Sequence, residues 1–287
     1  MRWRDGRQSD NVEDRRGMSI PRGAKIGGVS GLGLLAVVLI GMFLGIDPTV
    51  LLQGGPDIQA PSVSVQQRGR EGVNDDLRDF VAVVLAETED VWHDAFRKMG
   101  RTYQAPTLVL FSRAVQSACG MAGSAVGPFY CPVDHKIYLD LDFFEDLRRR
   151  FGASGDFAQA YVVAHEVGHH VQTLLGISRK VSELQSRANS AERNRLSVRM
   201  ELQADCLAGV WANQADQSRQ ILEAGDIEEG LNAASAIGDD RIQRKTQGYV
   251  VPDGFTHGTS AQRVRWFSRG LESGNLQACD TFGTDRP

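Results

Sequence analysis

A helix that buries two imidazoles and a carboxylate has to give them partners, and that requirement dominates this 287-residue chain. His165-Glu166-Val167-Gly168-His169 lies between Tyr161-Val162-Val163-Ala164 on one side and Val171, Leu174 and Leu175 on the other. The apolar spacing predicts a helix over 156–175, with Gly176 as its stop. On that helix His165 and His169 project from one face about one turn apart. Two neutral imidazoles so placed can hold one Zn²⁺, with Glu166 beside them to take a proton from a water. The bland alternative is a pair of core histidines satisfied by backbone carbonyls. Gly168, between the ligands, leaves room for close packing by a neighbouring helix.

Zinc that does chemistry needs a third protein ligand and one open position. Glu201-Leu202-Gln203-Ala204-Asp205 sets two carboxylates four apart on a second expected helix. Alone, such a pair reads as solvated surface charge, but Cys206, Leu207, Ala208, Val210 and Trp211 mark this helix as buried. Glu201 would complete a His₂Glu site, and Asp205 would accept the free N–H of a ligating histidine and fix its tautomer. His170 points about 100° away from His169 on an ideal helix, which suits packing or a polar contact. His93 and His135 stand apart from any motif and read as surface residues. His257 and Arg263 fall where a loop enters a helix that Ser260 can cap. His257 is a candidate donor opposite the metal, and Arg263 a candidate partner for Asp205 or another site carboxylate. Ordinary loop packing is the competing account of both.

The N-terminal quarter is organised differently. Residues 1–25 carry seven basic side chains against four acids, and 26–46 carry no charge at all. As a helix, 26–46 would span ~31 Å, about the thickness of a hydrocarbon core. The basic flank and the following Asp47 predict a cytoplasmic tail over 1–25, a transmembrane helix over 26–46, and everything beyond it outside the cytoplasm. A cleaved signal peptide fits less well, because Gly45-Ile46-Asp47-Pro48 lacks a small-x-small cleavage site. Residues 47–73, rich in Gly, Pro, Gln and Ser, read as a linker, leaving 74–287 as the folded domain. Cys119, Cys131, Cys206 and Cys279 all lie past the apolar run, so two disulfides are expected. Cys119 and Cys131 flank a Gly-rich turn segment and form the local pair, leaving Cys206 for Cys279; four free buried thiols are the alternative.

Short strands are expected over Thr107–Phe111 and Lys136–Leu141, a hairpin or bulged edge over 117–132, and helices over 74–100, 143–150, 181–215, 227–237 and 260–272. The 181–215 helix should break near 189–194. Strands first and helices after make an α+β class, mostly helical, with a small antiparallel sheet. The net charge of -4 gives no reason to expect nucleic acid as a partner.

Several blocks carry a resemblance: residues 1–17, Ser117-Ala118-Cys119-Gly120, Gly127–Pro132, Ile137–Leu141, His165–Gln172 and Glu201–Cys206. In these the chain resembles a bacterial family of neutral zinc metallopeptidases, over nearly its whole length except the linker. The resemblance implies a zincin-like domain anchored in the bacterial inner membrane by one helix, with the catalytic domain periplasmic or extracytoplasmic. It implies zinc held by His165, His169 and Glu201, Glu166 as catalytic base, and a peptide or protein substrate. More distantly, the Glu201-x-x-x-Asp205 element and the His257…Arg263 spacing look like those of integral-membrane gluzincin peptidases, which raises a catalytic role for His257 and Arg263. The expected reaction is peptide hydrolysis by Glu-assisted attack of a zinc-bound water. Its rivals are a non-catalytic, zinc-stabilised envelope module and a hydrolase of other amides such as cell-wall crosslinks.

Overall fold

The computed structural model describes residues 1–17, 71–284 and 287. Strand β1 (Val12–Asp14) comes first and α1 (Glu71–Lys98) follows. Next are β2 (Thr107–Phe111), β3 (Ala114–Ser117), β4 (Gly120–Gly123), β5 (Phe129–Cys131) and β6 (Lys136–Asp140). Helices α2 (Asp142–Arg149), α3 (Asp156–Leu174), α4 (Ile177–Gln185), α5 (Ser190–Arg219), α6 (Asp226–Ala236), α7 (Asp239–Gln247) and α8 (Ser260–Ser273) complete the chain.

The sheet is mixed, which corrects the expectation of a small antiparallel one. Its order is β1-β2-β6-β5; β1 and β2 run parallel, as do β2 and β6, and only β5 is antiparallel to β6. The reason lies in the faces of the two central strands. Leu108, Leu110, Ile137 and Leu139 point into the helical core, while Val109, Phe111 and Tyr138 join a second cluster with Val115 and Ala122. The β3–β4 hairpin covers that second face, and Cys119–Cys131 ties it to β5. Strands buried on both faces suit parallel pairing, and the hairpin supplies the crossover that a parallel connection needs.

Helix α3 is buried along most of its length. It lies among α1, α5, α6 and the sheet side of the core. Gly176 adopts a left-handed conformation, φ 77°, immediately after it. The break expected near 189–194 falls at 186–189, where Asn189 and Glu192 form a reciprocal capping box that starts α5. Thr259, not Ser260, caps α8, and it does so with Gln262. The Ser260 hydroxyl instead donates to Ser235 O and Asp240. Helices α5 and α8 cross closely enough that a Cβ on Gly270 would collide with the Cys206 carbonyl. The second disulfide, Cys206–Cys279, fastens the C-terminal segment to α5.

The N-terminal segment overturns the transmembrane expectation. Residues 26–46 and most of the 47–73 linker lie outside the described residues, although Glu71 already belongs to α1. No helix among the described residues is long and apolar enough to cross a membrane. More directly, β1 is a strand of the domain's own sheet, with Leu108 N–H donating to Asn11 O and Arg15 N–H to Leu110 O, both at 2.8 Å. A single crossing between residues 17 and 71 would part these neighbours by a bilayer about 30 Å thick. The cytoplasmic tail, the single-pass anchor and the inner-membrane location that depended on them are therefore not supported. Among the described residues, four of the basic side chains that suggested a membrane flank have acids beside them: Arg2 with Glu223, Arg7 with Glu89 and Asp90, Arg15 with Glu13, and Arg16 with Asp14.

The segment is well fixed. Trp3 stacks edge-on against Phe80, and Arg7, Ser9 and Asn11 all donate to buried Glu89. Deleting residues 1–17 uncovers Phe80 and the β2 edge and strips three donors from Glu89. Urea denaturation of such a chain should show an unfolding free energy lower by at least ~3 kcal/mol. An unchanged midpoint would mean that the segment does not stabilise the domain.

Candidate active site

The structure brings His165, His169 and Glu201 together. Helix α3 presents both histidines, and α5 crosses it so closely that a Cβ on Gly168 would sit 3.0 Å from Ala204 O. That approach carries Glu201, one turn before Ala204, to the imidazole pair. His165 Nε2 lies 3.1 Å from Glu201 Oε2, and His169 Nε2 lies 3.4 Å from Glu201 Oε1. Donor atoms on a tetrahedral zinc with bonds of about 2.0–2.1 Å stand roughly 3.3 Å apart. The two contacts use different oxygens of Glu201, and one donor atom from each residue lies within 4.8 Å of the other two, so the donor set fits the ion in chemistry and is gathered at one point. In a second close group, Asp156, Asp226 and Glu229, the two aspartates already hold the Met1 ammonium at 2.6 and 3.3 Å, and Glu229 accepts from Phe157 N–H.

Behind the ligands stands a buried polar cluster. His165 Nδ1–H donates to Asp205 Oδ1 at 2.8 Å, as does the Tyr161 hydroxyl at 2.5 Å. Arg263, also buried, grips both Asp205 oxygens through Nε and Nη2, each at 2.9 Å. Such a bidentate pair fixes the carboxylate plane, and with it the imidazole that the carboxylate holds. His170 turns away from this point: its Nε2–H donates to Gln104 O and its Nδ1 accepts from Tyr130. His93 is exposed, and His135 stacks edge-on against His170 at 5.6 Å.

Electrostatics sort the acids into two kinds. Burial would raise both Glu201 and Asp205, but His169 and His165 hold Glu201 well below the usual range, and Arg263 with His165 lowers Asp205. In Glu166 the effect of burial wins over His169 and His165, so its carboxyl sits above its ordinary value. Burial also disfavours the charged form of His165, yet Asp205 and Glu201 outweigh it and lift the group to about 10. Protons therefore compete with a metal for His165. One carboxylate is suited to coordination and the other to accepting a proton.

His257 reaches the same cavity from the loop before α8, and sequence reasoning missed what holds it. Asp239 Oδ2 accepts from the backbone N–H groups of Thr256, His257 and Gly258, while Oδ1 lies 3.2 Å from His257 Nδ1. Burial lowers His257, but Asp239 and Glu201 override it and raise the group. Nothing local advertises Asp239, which lies 18 residues from His257. Tyr161 and Gln172 were also missed, although their spacing, four before His165 and three after His169, places them on the ligand face.

A cavity of about 720 Å³ opens over the three ligands and Glu166. Its lining includes Phe129 and Tyr130 of edge strand β5, together with Phe143, Phe151, Val162 and His257.

The family model described as "Putative neutral zinc metallopeptidase" matches residues 1–282. The "Uncharacterized protein YpfJ" of Escherichia coli (strain K12) is 53% identical over 291 residues, 99% of each chain. The "Uncharacterized protein Rv2575" of Mycobacterium tuberculosis (strain ATCC 25618 / H37Rv) is 43% identical over 255 residues, 84% of each chain. No solved structure matches.

Replacing Arg263 with Met leaves Asp205 as a buried charge without its cation. Stability should fall by about 3–5 kcal/mol in a denaturant titration. A change under 1 kcal/mol would show that Tyr161 and His165 alone satisfy the carboxylate.

Proposed function

The chain belongs to the neutral zinc metallopeptidase family, and on that premise we propose that it hydrolyses peptide bonds at the His165–His169–Glu201 centre, with Glu166 as general base. One observation carries the reading: three donor atoms converge within 4.8 Å of one another on the floor of an open, largely apolar cavity that Glu166 also lines. Zinc, when bound there, polarises the scissile carbonyl and acidifies water.

The chain's own residues do the rest. Glu166, its carboxyl raised by burial, takes a proton from the attacking water and passes it to the leaving amine. His257 donates to the oxygen on which charge develops. His257 Nδ1 lies 3.0 Å from Thr256 Oγ1 and 3.2 Å from Asp239 Oδ1; with its Nδ1–H given to the carboxylate, a donor on Nε2 requires the imidazolium, which Asp239 and Glu201 favour. Arg263 and Asp205 act through His165 as positioning residues. The substrate lies extended along edge strand β5, whose free side offers backbone hydrogen bonds, and apolar side chains fit against Phe143, Phe151 and Val162. The ligand arrangement is gluzincin-like. Among the described residues this metal group has three members, whereas a purely structural zinc site fills four positions with protein ligands. Two disulfides favour an oxidising compartment outside the cytoplasm.

Glu166→Gln should retain zinc and lose peptidase activity by about 10²-fold or more. A zinc-loaded variant that cleaves unfolded protein at the wild-type rate would refute the mechanism. The pH profile gives a second test. With His257 acting as a cation, kcat/KM should fall as pH rises through its raised pKa. Asp239→Asn, which removes the favourable charge, should move that limb to lower pH. A limb that stays in place would remove His257 from the reaction.

A further inference from the structure

His165 is oriented by a charged carboxylate; His169 is not. Its Nδ1 faces Gln172 Oε1 at 2.9 Å, and Gln172 is fully buried. The orientation of that amide can be derived from its surroundings. A backbone carbonyl only accepts, so the Gln172 atom 2.8 Å from Met200 O is the nitrogen. The oxygen is thereby turned to His169 and demands a donor. Gln203, also buried, obeys the same logic: its nitrogen donates to Cys279 O at 2.9 Å, which aims its oxygen at the Gln172 nitrogen, 3.1 Å away. Two backbone carbonyls at fixed places thus set the sense of the whole chain of hydrogen bonds. Its far end is the Cys279 carbonyl, on the residue that the disulfide to Cys206 holds against α5.

We infer that Gln172, backed by Gln203 and the latched Cys279 carbonyl, is a positioning residue that keeps His169 in its Nδ1–H tautomer and so presents Nε2 to the metal. The inference rests on the zinc-site reading above and adds the residues that maintain it. The two ligating histidines are then held unequally. His165 leans on an ionised Asp205, while His169 leans on a neutral amide whose direction is imposed from α5 and the C-terminal segment. A neutral acceptor adds less basicity to the imidazole than a carboxylate does, so geometry carries more of the contribution at His169.

The test compares zinc affinity, by chelator competition, in the full chain and in Gln172→Leu, Gln172→Glu and Gln203→Leu, with the visible spectrum of the Co²⁺-loaded forms as a check on ligand geometry. Gln172→Leu should bind zinc about 10–100-fold more weakly, in the range seen when partners of metal-bound histidines are removed. Gln172→Glu keeps an acceptor for His169 Nδ1–H and should stay within a few-fold of wild type, although it can no longer donate to Met200 O. Gln203→Leu, one step removed, should fall between them. Equal losses in the Leu and Glu variants would overturn the inference, because they would show that Gln172 serves only to join α3 to α5. So would an unchanged affinity in Gln172→Leu. An ¹H–¹⁵N imidazole spectrum of the zinc-loaded wild-type chain depends on no variant folding. A proton on His169 Nδ1 is expected, and its absence there overturns the assignment. A wild-type chain that binds no zinc defeats the peptidase reading itself, an outcome distinct from zinc bound without help from Gln172.

Discussion

Asp205 is completely buried, and a carboxylate in that position is tolerated only when its charge is met. Four hydrogen bonds meet it: two from Arg263 on α8, one from Tyr161 and one from His165, both on α3. Three helices are thereby committed to one arrangement. Each of these donors also depends on close packing that small residues permit, Gly168 against Ala204 and Gly270 against the Cys206 carbonyl. The metal-binding geometry follows from the same arrangement, because Glu201 lies one helical turn before Asp205 on α5. A site built this way is rigid because the charged groups behind the ligands have no cheaper arrangement available.

The rest of the fold can be understood as support for that crossing. The sheet backs α3 through Leu108, Leu110, Ile137 and Leu139, and its free edge at β5 faces the cavity. The β3–β4 hairpin seals the opposite face of the sheet, so the strands are buried on both sides. At the other edge β1 completes the sheet from a segment 96 residues before its partner, since Val12 pairs with Leu108 and Asp14 with Leu110. Catalytic potential and stability are thus drawn from distant parts of one chain. The two disulfides fasten the hairpin to β5 and the C-terminal segment to α5.

Local chemistry in the sequence was informative where one element carried the whole signal. The strand over Thr107–Phe111, the helix from Asp156, the stop at Gly176 and the pairing of Cys119 with Cys131 all rest on residues close together. The same holds for His165 and His169, whose i,i+4 spacing implies a shared face whatever surrounds it. The N-terminal segment shows the opposite case. Its charge distribution matched a membrane flank as well as it matched surface ion pairs, and only the pairing of β1 with β2 separated the two.

The sequence by itself determined the donor types, their spacing on each helix and the apolar faces that force those helices inward, because these depend on side-chain chemistry and a 3.6-residue period. Only the tertiary structure decided that the sheet is mixed, that residues 1–17 share the domain, and that Asp239, Tyr161, Gln172 and Gln203 stand behind the site. Partners tens of residues apart are chosen by which buried charge or donor would otherwise go unsatisfied, and that is a property of the packed whole.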